Sequence, residues 1–303
     1  MKVLVTGGAG FIGSHVVDQL IREDCQVVIM DNLITGLTEN INPAARFIEV
    51  DIRSNSLFSL FAAEKFDSVI HLAAQTMVHE SMARPDYDCD VNIAGTVNIL
   101  EACRKTNVKR IVFSSTAAVY GNVKALPVME TSQKVPASFY GLSKYTCENY
   151  LALYSQAYGL EYVVLRYANV YGERQGEGGE GGVISIFARH ISQDQPITIF
   201  GDGNQTRDFI YVGDVANANY QSLLLQNSNQ IFNISTQSET SVNSLIESME
   251  KVAGKAVTKC YQDKREGDIY KSFLSNDLAR KHLNWQPNMP LMEGLTKTYH
   301  SLV

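Results

Sequence analysis

Hydrophobic residues follow two different periods along the first 166 residues of the chain. Short runs of β-branched and apolar residues alternate with longer stretches in which apolar residues recur at helical spacing. The predicted strands cover residues 2–6, 26–31, 46–49, 68–72, 110–114 and 161–166. The predicted helices between them cover about 11–23, 54–64, 88–106 and 139–158. This alternation predicts an α/β fold in which helices cover both faces of a doubly wound, parallel Rossmann sheet.

The second half of the chain is less regular. It contains the glycine run GEGGEGG, a helical pattern in VISIFARHIS and the mixed segment ITIFGDGNQTRDFIYV. The glycine run is short and lies between patterned segments, so we expect an ordered loop rather than a flexible linker. We place a domain boundary near residue 166, with a smaller mixed α/β domain formed mainly by residues 167–303. Segments at about 209–237 are expected to return to the first domain.

Composition narrows the class of protein further. The chain has 303 residues, 45% of them hydrophobic, and a net charge of -6 without long runs of like charge. This acidic balance argues against nucleic acid as a partner. The five cysteines form no C-x-x-C pair, so we expect neither disulfides nor a metal site. With no signal peptide and no run of eighteen apolar residues, we expect a cytoplasmic protein that does not enter a membrane.

The turn after the first predicted strand has the composition of a phosphate-binding loop. Gly8, Gly10 and Gly13 in TGGAGFIGSH satisfy G-x-G-x-x-G, and Gly7 precedes them. Glycine permits the tight turn and lets a pyrophosphate approach the backbone, while the N-terminus of the next helix offers free N–H groups. Strand, glycines and helix follow in the order that a dinucleotide-binding fold requires. A plain turn between strand and helix is the alternative.

An acidic residue closes the second predicted strand. Asp31 lies eighteen residues after Gly13. A carboxylate there can accept hydrogen bonds from an adenosine ribose and repels a 2'-phosphate, so the pattern favours NAD over NADP. Asp51 and Ile52 end the third strand, where they can meet the adenine, and small residues ending the fourth strand let a cofactor lie close. The side chain of Asn92 can hold a loop by hydrogen bonds. Ordinary packing is the alternative for each.

Three hydroxyls and a Tyr–Lys pair supply the candidate chemistry. The sequence SSTAAVYG, at 114–121, follows the apolar run of a buried strand. Tyr140 and Lys144 are four residues apart at the start of a helix that Ser138 can cap, so they share a face. We expect the Lys144 charge and the helix N-terminus to lower the pKa of Tyr140, which makes it a candidate general base. An amphipathic helix with a chance Y-x-x-x-K spacing is the alternative.

Four motifs together, TGGAGFIG, SSTAAVYG, YGLSK and LRYANVYG, resemble those of the extended short-chain dehydrogenase/reductase superfamily. Within it, the chain is most similar to nucleotide-sugar epimerases of the NAD-dependent epimerase/dehydratase family, and the resemblance extends to RQGEGGEGGVISIF and REGD. It implies a catalytic group of Thr116, Tyr140 and Lys144. Thr116 would hydrogen-bond the sugar hydroxyl and Tyr140 would take its proton. Lys144 would hold the nicotinamide ribose and tune Tyr140.

Two alanines distinguish this chain from similar families that catalyse dehydration or decarboxylation of the sugar. The 4,6-dehydratases that it resembles carry Asp-Glu just after the threonine, where this chain has Ala117 and Ala118. The glutamate that related decarboxylases carry in this stretch is also absent. The resemblance therefore implies epimerisation at C4 of a UDP-hexose, such as UDP-glucose or UDP-galactose. A hydride would pass to tightly bound NAD and back, through a transient 4-keto sugar.

The resemblance also implies binding residues, with NAD on 1–166 and the nucleotide sugar mainly on 167–303. The implied NAD-binding residues are Gly7, Gly10, Phe11, Ile12, Gly13, Asp31, Asn32, Asp51, Ile52, Leu72, Ala73, Ala74, Asn92, Ser114, Tyr140, Lys144 and Tyr167. The implied substrate-binding residues are Thr116, Tyr140, Asn169, Val183, Arg207, Phe209, Arg265, Asp268 and Ser272. Arg207 and Arg265 would clamp the diphosphate, and Asp268 would accept from the uridine ribose. Ser272 is small where a tyrosine would exclude a 2-acetamido group.

Alternatives remain open at this point. Another nucleotide-sugar 4-epimerase, acting on a uronic acid or a pentose, or a 4-reductase could use the same scaffold. A non-catalytic NAD-binding regulator is a more distant alternative, which loss of Tyr140 or Lys144 would have favoured. A homodimer through the helices at about 88–106 and 139–158 is expected by analogy with the superfamily alone.

Overall fold

A computed structural model describes residues 1–176, 182–264 and 269–302. The strands are β1 (Lys2–Thr6), β2 (Gln26–Asp31), β3 (Arg46–Glu49), β4 (Ser68–His71), β5 (Arg110–Thr116), β6 (Glu161–Tyr167), β7 (Asn169–Tyr171), β8 (Ile197–Phe200), β9 (Thr206–Arg207), β10 (Phe209–Tyr211), β11 (Gln230–Ile234), β12 (Thr240–Ser241) and β13 (Lys259–Gln262). The helices are α1 (Phe11–Arg22), α2 (Leu57–Glu64), α3 (Val78–Ala83), α4 (Pro85–Asp88), α5 (Gly95–Lys105), α6 (Phe139–Tyr158), α7 (Val183–Ser192), α8 (Val212–Leu224), α9 (Val242–Ala253), α10 (Asp277–His282) and α11 (Leu291–Leu302).

Seven parallel strands form the central sheet, in the order β11-β6-β5-β4-β1-β2-β3. The order reverses between β1 and β4, so the chain leaves these two neighbouring strands in opposite directions. A cleft opens at such a switch point, outside the carboxyl ends of the strands. The predicted doubly wound α/β fold is confirmed.

Helices cover both faces of this sheet because its strands are apolar on both sides. Along β1, Val3 and Val5 pack towards α1 and α8, whereas Leu4 packs towards α2, α5 and α6. Side chains alternate across a strand, so a strand buried on both faces reads as a continuous apolar run. This pattern explains why the first six strands are visible in the sequence.

A smaller mixed lobe follows the sheet. Helices α7, α9 and α11 enclose a separate apolar cluster, to which Ile184, Phe187, Leu245 and Leu295 contribute. Three two-stranded sheets accompany it: β10 with β7 and β13 with β8 in parallel, and β12 with β9 in antiparallel. Across the described ranges, no helix combines the length and apolar character that crossing a membrane requires.

Several segments differ from the prediction in detail. The helix predicted over 88–106 is broken into the end of α4, a π-helical turn (Cys89–Ala94) and α5. Strand β5 runs two residues further than predicted, to Thr116. Within the segment at about 209–237, β10 pairs outside the main sheet, while α8 packs on α1 and β11 forms the seventh strand. Most of the glycine run, 177–181, lies outside the described residues.

Candidate active site

The turn between β1 and α1 is packed so closely that it requires glycine. Gly7 has a φ of 71° and donates its N–H to the carbonyl of Met30 at 2.8 Å. A Cβ on Gly7 would lie 2.7 Å from the backbone nitrogen of Ala73, and one on Gly13 would overlap the carbonyl oxygen of Gly7. The turn, the first turn of α1 and the loop after β4 therefore approach one another at backbone distance.

This turn fits a pyrophosphate. Phe11, Ile12 and Gly13 begin α1, and their N–H groups have no carbonyl one turn earlier in the helix to bond. The first turn of α1 carries no acidic residue that could occupy these donors. The same three residues line a cleft of about 660 Å³, so the positive end of the helix faces the space where a dinucleotide would lie.

Asp31 is held at the end of β2 by backbone donors. Its Oδ2 accepts a hydrogen bond from the N–H of Ala9 at 3.0 Å, and its Oδ1 accepts from the N–H of Leu33 at 2.9 Å. Burial raises the pKa of Asp31, while these donors oppose that shift. The residue lines the cleft together with Asn32, whose Nδ2 donates to Asp51 at 2.8 Å. Its predicted contact with an adenosine ribose stays a prediction.

Asp51 and Asn92 take different positions relative to the cleft. Asp51 lines it with Ile52, and bonds from Arg53 hold the pKa of Asp51 well below its usual range. Asn92 is buried behind the lining residues. Its Oδ1 accepts from the N–H of Gln75 at 2.8 Å and its Nδ2 donates to the Gln75 carbonyl at 3.0 Å. Asn92 therefore acts on the cleft through the loop after β4.

The Tyr–Lys pair and the threonine meet on one wall of the cleft. The Oγ of Ser138 accepts from the N–H of Gly141 at 3.1 Å and caps α6, so Tyr140 lies in its first turn. Lys144 is 3% exposed, and its Nζ donates to the carbonyl of Ser114 at 2.9 Å. Thr116 ends the neighbouring strand β5. All three catalytic candidates line the cleft.

Burial sets the ionisation of this pair. It raises the pKa of Tyr140 to about 12, an effect that the Thr116 hydroxyl opposes and the Asp88 charge increases. It also lowers the pKa of Lys144 to about 8. The predicted lowering of the Tyr140 pKa is therefore wrong for the chain by itself. The lysine Nζ is directed at a backbone carbonyl, and the phenolate would lose its hydration.

Acidic groups beside the catalytic wall are few. Thr116 is followed by a short 3-10 turn that contains Ala117 and Ala118. Among the described residues that line the cleft, the acidic ones are Asp31, Asp51 and Glu80. Asp51 is paired with Arg53, and Glu80 is paired with Arg84 at 3.3 Å. None of these carboxylates follows β5 in the sequence.

The predicted substrate residues are only partly brought together. Asn169, Val183 and Phe209 line the cleft, as does Tyr167, which was predicted to contact NAD.

Two others are not part of the cleft lining that the described residues form. The Nη1 of Arg207 donates to the carbonyls of Thr206 at 2.8 Å and Ile269 at 2.7 Å, and Arg207 does not line the cleft. Ser272 does not line it either, because backbone bonds of Tyr270 and Phe273 hold that segment against other parts of the chain. Arg265 and Asp268 lie outside the described residues.

The structure also adds lining residues that the sequence analysis missed. The segment after β4 contributes Gln75, Met77, Glu80, Arg84 and Tyr87 to the cleft. Their signal is positional, since loops that follow the strands at a switch point line the ligand cleft.

Comparison with known proteins agrees with this geometry. Residues 3–235 match the model of the NAD dependent epimerase/dehydratase family. The UDP-glucose 4-epimerase of Mycolicibacterium smegmatis is 38% identical over 304 residues, which cover 98% of this chain and 97% of that protein.

Two solved structures are similar over nearly their whole length. The UDP-glucose 4-epimerase of Thermotoga maritima, solved with UDP-glucose, is 42% identical with a TM-score of 0.97, covering 99% of this chain and 98% of that one. The UDP-N-acetylglucosamine 4-epimerase of Methanobrevibacter ruminantium is 36% identical with a TM-score of 0.94, covering 99% and 97%. The chain belongs to the NAD dependent epimerase/dehydratase family, and NAD is its cofactor.

Proposed function

We propose that the protein interconverts UDP-glucose and UDP-galactose by epimerisation at C4, with tightly bound NAD. The observation that carries this proposal is the wall formed by Thr116, Tyr140 and Lys144 beside the glycine turn. Oxidation of a secondary alcohol needs one base, one hydroxyl partner and a hydride acceptor. Ala117 and Ala118 leave this wall without the acid pair that elimination of water would need.

Side chains of the protein transfer the proton of the sugar 4-hydroxyl and orient the sugar. Tyr140 takes the proton of the 4-hydroxyl and returns it after the sugar has turned over. Thr116, whose Oγ1 accepts from the N–H of Ala118 at 3.1 Å, holds that hydroxyl towards Tyr140. A protonated Lys144 opposes the effect of burial on the Tyr140 phenol. When bound, NAD would supply the hydride acceptor for C4 and the hydride donor for the opposite face of the 4-keto sugar.

NAD would be held along the carboxyl ends of the strands. The turn from Gly7 to Gly13 would hold the pyrophosphate and Asp31 the adenosine ribose. Asp51 and Ile52 would face the adenine. Lys144 would hold the nicotinamide ribose, next to the lining residues Ser114 and Tyr167.

The direct test is turnover without added cofactor. Purified protein incubated with UDP-galactose should form UDP-glucose until both sugars are at equilibrium, with no accumulation of NADH. UDP-glucuronic acid and UDP-arabinose are assayed in parallel. Faster turnover of either would favour the epimerases of uronic acids or pentoses. A requirement for added NADH, consumed in proportion to the product formed, would instead identify a 4-reductase.

We also propose that the sugar site admits a 2-acetamido group. Support comes from the similarity to a UDP-N-acetylglucosamine 4-epimerase. The family resemblance implies the small residue Ser272 at the far wall of the sugar site, although Ser272 does not line the cleft that the described residues form. The assay compares kcat/KM for UDP-galactose and UDP-N-acetylgalactosamine in the parent and in Ser272→Tyr. A parent that turns over only the plain sugar contradicts the proposal. If the Ser272→Tyr variant accepts both sugars, residue 272 does not line the part of the sugar site that receives the 2-acetamido group.

We propose that the protein is a homodimer that associates through α6. Exposed apolar side chains share one face of this helix at spacings of three and eleven residues: Phe139, Leu142, Tyr150 and Leu153. Helix α5 lies alongside, with the hydroxyl of Tyr154 donating to Glu101 at 2.9 Å. An apolar face of this kind fits a second copy of itself.

Light scattering should therefore give twice the mass of the 33.6 kDa chain. Leu153, 60% exposed, is replaced by glutamate to break the contact, and Leu224→Glu on α8 is the matched control. A parent that is monomeric, or a Leu153→Glu variant that stays dimeric, contradicts the proposed interface.

The reaction would take place in a reducing compartment. The five cysteines are all free, as in cytoplasmic proteins, and interconversion of these two sugars would serve galactose metabolism.

A further inference from the structure

Asp88 is a buried carboxylate next to the catalytic helix. It ends α4 and is 1% exposed. Its Oδ1 accepts hydrogen bonds from the Nε2 of Gln75 at 3.0 Å and from the Nδ2 of Asn92 at 3.1 Å. Both donors are neutral amides, and the ion pairs found within the described ranges do not include Asp88. Burial raises the pKa of Asp88, while hydrogen bonds from Ser143 and Gln75 and the charge of Lys144 oppose that rise. The carboxylate is therefore held in place without a bonded cation that would neutralise it.

The same amide connects Asp88 to α6. The Nδ2 of Asn92 also donates to the Oγ of Ser143 at 3.1 Å, and that hydroxyl contacts the carbonyl of Tyr140 at 3.0 Å. Ser143 lies directly before Lys144. The carboxylate is thus fixed relative to the turn of the helix that presents the catalytic tyrosine and lysine.

Lys144 is a buried cation whose other neighbours are either neutral or, like Glu148, already paired with another cation. Glu148, one turn further along α6, is bonded by Arg166 at 2.9 and 2.5 Å, so its charge is compensated. Burial raises the pKa of Cys147 to about 11, which keeps that thiol neutral. On β4, burial lowers the pKa of His71 to about 3, which keeps the imidazole neutral.

The remaining groups near Lys144 are phenols and uncharged atoms. Burial raises the pKa values of Tyr140 and of Tyr167 on β6, so both are neutral when nothing else acts on them. From β5, Lys144 meets the carbonyl of Ser114 and the ring of Phe113, whose centroid lies 4.8 Å from Nζ. Of the carboxylates that favour its cationic form, Asp88 is the one without a bonded cation.

We propose that Asp88 is a positioning residue whose buried carboxylate is the counter-charge of Lys144 and keeps it cationic in the working site. Asn92 and Gln75 hold that charge in place, and Ser143 ties it to the first turn of α6. The catalytic role of Asp88 rests on the proposed epimerase function. The electrostatic interaction between Asp88 and Lys144 is a property of the folded protein and does not depend on that function.

Removing this charge acts on both catalytic groups in the same direction. Without Asp88, the burial of Lys144 is less compensated, so the lysine loses its proton at lower pH. The repulsion that Asp88 exerts on a Tyr140 phenolate disappears too, so the tyrosine ionises at lower pH. Activity needs ionised Tyr140 beside protonated Lys144, so both limbs of the pH profile move to lower pH.

The test is Asp88→Asn, which keeps the side-chain volume and one acceptor oxygen. The pH dependence of kcat is measured on the holoenzyme. We expect both limbs to move down by about one pH unit, and kcat on the alkaline limb to fall about tenfold relative to the parent. Asp86→Asn is the matched control, because it removes the same charge from an exposed position of α4 and should leave the profile unchanged.

A second readout does not depend on turnover. In protein labelled with ¹³C at the lysine ε-carbon, the signal missing from Lys144→Met is followed against pH. It should titrate near pH 8 in the parent and about one unit lower in Asp88→Asn. If the asparagine variant does not fold, Asp88→Ser removes the charge with a smaller side chain.

The outcomes separate the two proposals. An unchanged Lys144 titration, or a loss of kcat that is equal at every pH, overturns the role of Asp88. A parent without epimerase activity overturns the proposed function, while the Lys144 titration still decides the counter-charge.

Discussion

Tyr140→Phe is expected to lower kcat by about 10²–10⁴-fold while NAD binding is retained. The substitution removes the phenolic oxygen that takes the sugar proton, and it leaves the ring and the glycine turn in place. The measurement is turnover of UDP-galactose, together with the NAD content of the purified protein after denaturation. Because Tyr140 would be the base for both sugars, both directions of the reaction should slow equally.

Two comparisons make this result specific. Tyr145→Phe on the same helix is the matched control and should keep the parent rate. Thr116→Ala should reduce kcat less than Tyr140→Phe, and Thr116→Ser least, because serine keeps a hydroxyl. Equal turnover in Tyr140→Phe and the parent would rule out Tyr140 as the base.

Arg166→Met is expected to destabilise the fold by about 3–5 kcal/mol. Arg166 is 1% exposed and donates to both carboxylate oxygens of Glu148, and its Nη1 donates to the hydroxyl of Tyr120 at 2.8 Å. Methionine fills a similar volume but leaves the Glu148 charge buried, with the Oγ of Ser115 as its remaining donor at 2.6 Å. Urea unfolding followed by circular dichroism measures the change in free energy.

An exposed pair provides the control. Arg46 lies 2.8 Å from Glu64, with 66% of the arginine side chain exposed, so Arg46→Met should change stability by less than about 1 kcal/mol. Combining Arg166→Met with Glu148→Gln should recover part of the loss, since the uncompensated charge is gone. A small effect of Arg166→Met would show that water reaches Glu148 in the folded protein.

Local patterns in the sequence are sufficient to predict most strands of the central sheet and the glycine turn between β1 and α1. Six strands and the glycine turn were predicted because each depends on neighbours a few residues away. Apolar runs indicate strands buried on both faces, and glycine is the residue that the turn at Gly7 can tolerate. Helical spacing also places Tyr140 and Lys144 on one face of α6, while the catalytic role of Thr116 is implied by the family resemblance, and all three residues line the cleft.

Contacts between segments that are far apart in the chain could not be predicted from local patterns of this kind. Arg207 carries the charge expected of a phosphate ligand, and its Nη1 donates to the carbonyl of the neighbouring Thr206 and to that of Ile269, 62 residues further along the chain. The direction of the Tyr140 pKa was misjudged because it depends on burial by other elements. Asn92 holds the loop after β4 by hydrogen bonds, as the sequence suggests, whereas the position of Asp88 behind the catalytic pair has no signal in the sequence.

Apart from Thr116, whose role only the family resemblance implies, the sequence by itself determined the α/β class, the glycine turn after β1 and the Tyr140–Lys144 pair as candidate chemistry. These follow from short-range periodicity, backbone sterics and residue chemistry. Only the tertiary structure decided which charges are paired, which are buried and which side chains face the cleft. Those properties depend on desolvation and on the approach of segments far apart in the chain, as in the bridge from Asp88 through Asn92 to Ser143.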